Sequence, residues 1–438
     1  MLRAPARDEA PVASSRLVAR SPVFFGWIVM LAGSFGMIMT SPGQTYGVSI
    51  FIEYFIADLG VSRSLVSTYY AIGTLVGAAA QPLIGRRIDQ HGPRTVVVAV
   101  AVLFGLACLY MGLVQGGVML LFGFVLIRML GQGGLGLVST YTVNQWWMRR
   151  RGTILGISGV IVALLGVGAF PNLLNWMIPI LGWRLTYAAL GLVLLGVMAP
   201  VGYLFFRSQP ERYGLLPDGA GPEAVGSAPR SDSRREEDWT LAEALRTSAF
   251  WITAGGLATI AMLATGLTFH MVKIFEDNQL SAAAAAAVYV PIAMVSAVVN
   301  LGSGILVDRI PIRFLLAGAL VIQAVTLIMA QSLTSVALAL AYGAALGVLF
   351  GMMRTVSAVV WPAYYGRRYL GSITGVTATI MIAGSALGPL PMGVARDLLG
   401  SYNLTLTILA ILPLALSVGT LFMRPPVKIE SITSERNS

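Results

Sequence analysis

The sequence predicts an all-α membrane protein with twelve spanning helices, arranged as two similar bundles of six. Composition is the first of three observations behind this prediction. Of the 438 residues 56% are apolar and only 11% are charged, and the mean hydropathy is +0.79. A water-soluble domain carries about 25% charged residues, so much of this surface must face lipid. The other two observations are the lengths of the apolar runs and an internal repeat.

Twelve apolar runs follow one another along the chain. A bilayer core about 30 Å thick needs about 20 apolar residues per spanning helix, and these runs lack the strict alternation of spanning strands. The predicted helices fall at 23–52, 63–84, 95–114, 118–147, 153–176, 184–206, 248–272, 282–307, 313–331, 335–362, 370–392 and 400–423. We therefore divide the chain into a tail at 1–22, a bundle at 23–206, a flexible linker at 207–247, a bundle at 248–423 and a tail at 424–438.

The basic residues predict the orientation in the membrane. If the N-terminus is cytoplasmic, 23 of the 29 basic residues fall in the tails, the linker and the loops of that side. The opposite side holds only Arg63, Arg184, Lys273 and Arg396. Because cytoplasmic segments of membrane proteins are enriched in Lys and Arg, both termini are expected in the cytoplasm. The expected location is a bacterial inner membrane.

The two bundles carry an internal repeat. One offset of 219 residues relates matching positions in the loop regions of both halves: Gly85 and Gly304, Asp89 and Asp308, Arg94 and Arg313, Gly152 and Gly371, Gly156 and Gly375. A constant offset over about seventy residues implies duplication of a six-helix unit. Duplicated bundles of this kind place a solute site near the membrane midplane, at their interface.

Several segments resemble one known family, the major facilitator superfamily, and within it the monocarboxylate and oxalate–formate transporter branch. The loop GRRIDQHGPR at 85–94 is similar to the family signature GxxxDxxGxR, and RMLGQGG resembles its RxxxGxG pattern. Further resemblance runs through SPGQTYGVSIFIEYF, LGVSRSLVSTYYAIGTL, NQWWMRRRGTILGIS and QPERYGLLPDG. The resemblance implies the twelve-helix fold and transport of small organic anions by alternating access, often with a proton.

The repeated loops are the predicted cytoplasmic gate. An aspartate at a helix end can pair with arginine and with a facing helix N-terminus, and glycine permits close helix approach. The expected gate residues are Gly85, Asp89, Arg94, Gly304, Asp308, Arg309 and Arg313. Gln90 departs from the basic residue usual in the signature, and Arg309 restores it in the second copy. The alternative is that these are ordinary loop charges of the cytoplasmic side.

Two arginines lie deep within predicted helices, Arg128 in the fourth and Arg354 in the tenth. A charge at such depth costs several kcal/mol unless it faces water, a partner or a substrate. Seven residues separate Arg128 from the repeat equivalent of Arg354, which is nearly two helical turns. We expect both arginines to face a central aqueous cavity and to bind substrate. The alternative is that each binds backbone carbonyls and stabilises packing.

Further substrate ligands are expected among the polar residues of the helices: Thr40, Gln44, Ser139, Thr142 and Asn300. The branch usually has cations near Gln44 and at Asn300, and neither position is charged here, so Arg128 and Arg354 would substitute. For each polar residue a local hydrogen bond within the bundle is the alternative. His270, near the outer end of the seventh helix, and Glu53 are the candidates for a coupled proton, since imidazole titrates in the physiological range.

The sequence thus predicts a secondary transporter of a small organic anion, in particular a monocarboxylate, working by proton symport or anion exchange. The alternative is an exporter of hydrophobic or drug-like compounds. We find no nucleophile–base pair, metal cluster or phosphate loop, so an enzyme and a nucleotide-driven pump are not expected. No cofactor, metal, nucleotide or nucleic acid is expected as a partner. The partners are the solute, a coupled proton and the bilayer, and a monomer is expected.

Overall fold

A computed structural model describes residues 15–147, 150–219, 239–306, 310–366 and 370–426. Asp308 and Arg309 of the predicted gate lie outside the described residues, as does the side chain of Asp89. Ten stretches of the described residues are long and apolar enough to cross a membrane. The longest, Thr153–Phe205, has a left-handed glycine at Gly182 (φ 76°) and forms two helices. The part of Arg63–Gly112 that precedes Gln90 completes the predicted twelve.

The first half contains membrane helices one to six, several of them interrupted. Their segments are Phe25–Met39, Ser41–Gly43 and Thr45–Leu59; Arg63–Gly112, which holds helices two and three; Gly117–Ile127, Arg128–Leu135 and Gly136–Trp146; and Arg151–Val162, Ala163–Ala169, Phe170–Val193, Leu194–Met198 and Ala199–Phe205, which hold helices five and six. Helix one ends at Leu59 rather than at the predicted residue 52, because a short 3₁₀ turn at Ser41–Gly43 divides it into two halves.

The second half contains membrane helices seven to twelve. Their segments are Ser248–Phe269 and Met271–Asp277; Ala282–Ala287 and Tyr289–Leu306; Ile312–Met329; Val336–Tyr365; Leu370–Leu387 and Pro389–Leu399; and Asn403–Leu421. Among the described residues, short helices outside the membrane segments lie at Arg16–Ala19, Pro210–Tyr213, Pro217–Gly219 and Leu241–Ala244.

The internal repeat is visible in matching contacts of the two halves. Arg94 begins helix three, donates from Nε to the carbonyl of Tyr203 at 2.8 Å and stacks on the Tyr203 ring. Its repeat equivalent Arg313 begins helix nine and donates to the carbonyl of Met423 at 3.2 Å. Each arginine thus ties the start of the third helix of a unit to the end of the sixth.

The break between helices two and three depends on Gly92. This residue has φ 78° and ψ 158°, a conformation that residues with a Cβ rarely adopt. Gly92 therefore has a backbone role: it reverses the chain between helices two and three.

The two halves meet at one membrane face and separate toward the other. We call the face that carries residues 207–247 the linker face and the opposite one the far face. At the far face Ser49 contacts Tyr289 across the halves at 3.1 Å, and the amide of Asn172 donates to the carbonyl of Ala286. At the linker face a Cβ added to Gly85, Gly156 or Gly375 would meet open space among the described residues. In the part of the chain that the structure describes, the two halves are therefore open toward the linker face.

Candidate functional site

A cavity of about 280 Å³ lies between the two halves. Helices one and five contribute its walls from the first half, and helices seven, eight and ten from the second. That volume is close to the lower end of the roughly 300–1,000 Å³ found for small-molecule sites, which is the scale of a small solute. Helices of both halves thus surround one solute-sized space at the interface where the duplication predicts it.

Arg354 of helix ten lines this cavity. Its side chain is exposed to the space, and none of the described residues donates to, accepts from or pairs with its guanidinium. The facing surface is Gly159 of helix five, where an added Cβ would lie 3.2 Å from the Arg354 Nη1 atom. A bulkier residue at 159 would crowd the guanidinium. Among the described residues, therefore, none occupies the five N–H donors of this cation, and they are available to a solute.

Asn300 lines the same cavity from helix eight. Its Oδ1 atom lies 3.2 Å from the Thr355 hydroxyl, but the single proton of that hydroxyl has a closer acceptor in Ser303 at 2.6 Å, since Ser303 donates its own proton to Val299. The amide of Asn300 therefore offers N–H donors and an acceptor oxygen. Asp and Glu do not occur among the described residues that line the cavity. The electrostatic character of the space is consequently positive, and its strongest donors lie around Arg354.

The polar groups that the sequence prediction missed lie toward the far face. They are Thr45, Tyr46, Thr265, Thr268, Tyr289 and Ser296. Tyr46 bonds Ser41 at 3.0 Å, and the Thr45 hydroxyl shares a hydrogen bond with the Tyr70 hydroxyl. The sequence feature that could have indicated Thr45 and Tyr46 is the segment SPGQTY, whose Pro and Gly interrupt helix one directly before them. A break in a membrane helix turns the following side chains to a new direction.

Arg128 does not line the central cavity but is buried inside the first half. Its Nε donates to the Thr74 hydroxyl at 2.9 Å and its Nη1 to the carbonyl of Gly43 at 2.8 Å, while the guanidinium stacks on the Tyr70 ring. The broken first helix leaves the Gly43 carbonyl without a helical partner, which is costly in a membrane. Arg128 satisfies that carbonyl and joins helices one, two and four.

Four of the expected substrate ligands make local contacts. Gln44 donates to the Thr40 hydroxyl at 3.0 Å across the break in helix one, and Thr142 donates to the carbonyl of Val138. Ser139 is fully buried against Gly36. These residues do not border the central cavity in this conformation.

The two expected proton carriers lie at the far face. His270 is buried, with Nε2 at 3.0 Å from the carbonyl of Pro389 and Nδ1 at 3.4 Å from the Tyr402 hydroxyl. These contacts suit a neutral imidazole that donates from Nε2 and accepts at Nδ1. Glu53 pairs with Arg63 at 2.6 Å. Both groups therefore belong to the contacts that surround the far-face closure, and neither borders the cavity.

The described gate residues make their contacts within one half. Arg94 and Arg313 bond backbone carbonyls of their own bundles, and Gly85 has no close neighbour. The close approach that the sequence predicts at Gly85 is absent from this conformation because the linker face is open. Gly304 lies in helix eight, Tyr289–Leu306.

The fold and its cavity define a class: a membrane transporter built from two duplicated six-helix bundles around a central cavity. A sequence profile of the Major Facilitator Superfamily matches residues 35–389. The chain belongs to this family, and it is a transporter rather than an enzyme.

Three known transport proteins are similar to the chain in sequence. It is 24% identical to the probable sulfoacetate transporter of Cupriavidus necator, over 85% of this chain and 88% of that protein. It is 24% identical to the oxalate:formate antiporter of Oxalobacter formigenes over 52% of this chain and 50% of that protein. The probable L-galactonate transporter of Escherichia coli is 26% identical over 35% of this chain and 33% of its own length.

A solved structure supports the fold. The bacterial homologue of the human lysosomal transporter Spinster, in an inward-facing and occupied conformation, superposes with a TM-score of 0.64. It is 16% identical and covers 93% of this chain and 95% of that one.

Proposed function

We propose that the protein is a secondary active transporter of a small organic anion, in particular a monocarboxylate, and that Arg354 is its anion ligand. The observation that carries the proposal is the Arg354 guanidinium, which faces the cavity between the halves without a partner among the described residues. A charge held at membrane depth costs several kcal/mol unless it is solvated or paired. A carboxylate provides a bidentate partner of matching geometry.

The relatives support an anionic solute. Sulfoacetate, oxalate, formate and L-galactonate, the solutes in the names of the three similar proteins, are all organic anions. The shared chemistry is an acid group that is ionised at neutral pH, which is what a lone arginine can select.

Alternating exposure supplies the transport cycle in this proposal. Closure of the linker face would bring Gly85 and its repeat equivalent Gly304 against facing helices, while the far-face contacts separate. The excess of basic residues on the linker face supports a cytoplasmic location for that face. The present conformation is then the cytoplasm-open one.

For energy coupling we propose anion exchange as the basal mode. The lining contains no carboxylate or imidazole among the residues that the structure describes, so exchange needs only Arg354 and two anions. His270 and Glu53 lie among the far-face contacts. A proton bound there would change how readily the far face opens, and it would not contact the anion in the cavity.

The test is uptake of labelled lactate and formate into proteoliposomes that contain unlabelled internal anion. Arg354→Gln should abolish uptake, Arg354→Lys should retain part of it, and Arg184→Gln should serve as a matched control because Arg184 pairs with Asp58 at the far face. Full uptake by Arg354→Gln would overturn the proposed site. A cationic dye in the same vesicles tests the exporter alternative, and dye extrusion without anion uptake would replace the proposal.

A further inference from the structure

The guanidinium of Arg128 has one unsatisfied corner. Arg128 is only 1% exposed, and its Nη2 atom has no hydrogen-bond partner among the described residues. Nε and Nη1 are occupied by Thr74 and Gly43, so the N–H groups of Nη2 are the ones left over. A buried donor without an acceptor is costly, above all when it is charged. This corner of the guanidinium therefore needs an acceptor.

The charge of Arg128 is also uncompensated in the part of the chain that the structure describes. The groups that contact the guanidinium are neutral: the Thr74 hydroxyl, the Gly43 carbonyl and the Tyr70 ring that stacks on it. The residue lies inside the membrane span Gly117–Trp146. Buried charges in proteins are normally paired, and an unpaired one within a bilayer is expensive. The surroundings of Arg128 therefore favour a bound anion over a neutral acceptor.

A small pocket borders this guanidinium. Its volume is about 10 Å³, which is enough for one particle of about the size of water. Thr74, Gln81 and Gln132 provide its other polar lining, and Ile382 of helix eleven borders it from the second half. The pocket therefore places one small particle against a cation, at a point where the two halves meet.

The two glutamines can complete the coordination of an anion. Neither Gln81 nor Gln132 bonds another of the described residues through its side-chain amide. An amide can turn its N–H donors toward an anion and its oxygen away from it. Gln132 and Arg128 both belong to the π-helical segment Arg128–Leu135, a rare conformation that is frequent at functional sites. The lining thus supplies donors from helices two and four.

We infer that this pocket binds a single monatomic anion, chloride in particular, which neutralises Arg128. Water would satisfy the N–H groups of Nη2 but would leave the charge, and a carboxylate or a phosphate exceeds the volume. The size of the space thus separates the two arginines, since Arg354 faces about 280 Å³ and Arg128 about 10 Å³. The inference does not depend on the proposed function, because the bound ion is not the transported solute.

The experiment compares thermal unfolding of the detergent-purified protein in sodium chloride, sodium bromide and sodium gluconate at equal ionic strength. Chloride and bromide should raise the melting temperature by about 3 °C over gluconate in a saturable way, because a ligand of the folded state stabilises it by mass action. The same rise is expected in Arg354→Gln, which separates the response from anions in the central cavity. Equal melting temperatures in the three salts, or a response that Arg354→Gln removes, would overturn the inference.

The variant Gln132→Glu tests the residue assignment by supplying a fixed negative charge. Its carboxylate would replace the anion beside Arg128, so the variant should no longer respond to chloride. In gluconate it should melt as high as the parent protein does in chloride. Gln145→Glu is the matched control, because Gln145 lies in the same helix outside the pocket. A chloride response that Gln132→Glu retains, or that Gln145→Glu loses, would contradict the assignment.

Discussion

The Oδ2 atom of Asp397 lies 2.7 Å from the backbone nitrogen of Ser64 and accepts its hydrogen bond, which joins helix eleven to the start of helix two across the two halves. The first N–H groups of a helix have no partner within it and carry partial positive charge, so a carboxylate is favourable there. Gly393 permits this approach, since a Cβ would lie 2.6 Å from the Ser67 hydroxyl. The far face is therefore held closed in part by the Asp397 carboxylate at the N-terminus of helix two.

Asp397→Ala should weaken that closure. The carboxylate is exposed, so we assign it about 1 kcal/mol, which changes the ratio of the two conformations roughly fivefold. The measurement is labelling of a Ser296→Cys variant in the cavity by an impermeant thiol reagent added from the far face. Background should be low because the single native cysteine, Cys108, is buried.

Asp58→Ala is the control for this experiment, since Asp58 pairs with Arg184 inside the first half at the same face. Equal labelling of the Asp397 and Asp58 variants would show that the cross-half contact does not hold the far face closed.

Arg128→Leu should destabilise the protein by about 2–4 kcal/mol, because it leaves the buried Gly43 carbonyl and Thr74 hydroxyl without their donor. Arg354→Leu should not, since no described side chain depends on its guanidinium. Thermal unfolding of the detergent-purified variants compares the two. A lower melting temperature for Arg354→Leu than for Arg128→Leu would contradict the division into a structural and a cavity arginine.

Gly85→Ala should leave the folded protein as stable as the parent or slightly more so, by up to about 1 kcal/mol, since alanine favours a helix interior and meets no neighbour. It should nevertheless slow transport if Gly85 approaches a facing helix when the linker face closes. Thermal unfolding and exchange rate are measured on the same preparation.

Gly92→Ala provides the contrasting variant. Its φ of 78° and ψ of 158° lie in a region that is essentially restricted to glycine, so a residue with a Cβ should cost about 1–3 kcal/mol there. This variant should lose stability, whereas Gly85→Ala should lose rate. Unimpaired exchange by Gly85→Ala would remove Gly85 from the gate.

His270→Gln should retain anion exchange at equal pH and lose any acceleration of net uptake by an inward proton gradient. The neutral imidazole donates to Pro389 and accepts from Tyr402 here, so protonation would disrupt the Tyr402 contact and favour opening. Burial raises the pKa of the Tyr402 hydroxyl, which keeps it protonated and able to donate. Uptake by the variant that still responds to the gradient would exclude His270 as the coupling group.

The twelve helices and their duplication were predictable because hydropathy and spacing are local properties of the chain. Ten stretches of the described residues are long and apolar enough to span, and the structure confirms the fold, with Arg94 and Arg313 in equivalent contacts. The sequence prediction made helix one too short, since it ended the helix at residue 52 rather than at Leu59. The Pro and Gly of the 3₁₀ turn interrupt the apolar run without ending the membrane span.

The sequence by itself determined the membrane fold, the pairing of the halves and the presence of two arginines at depth. It could not separate their roles, because both arginines lie well inside apolar helices. Only the tertiary structure decided this. The partners of Arg128 come from helices 54 and 85 residues away in sequence, while the guanidinium of Arg354 faces the space between the halves. A side chain's depth follows from its own helix, but its neighbours depend on how distant helices pack.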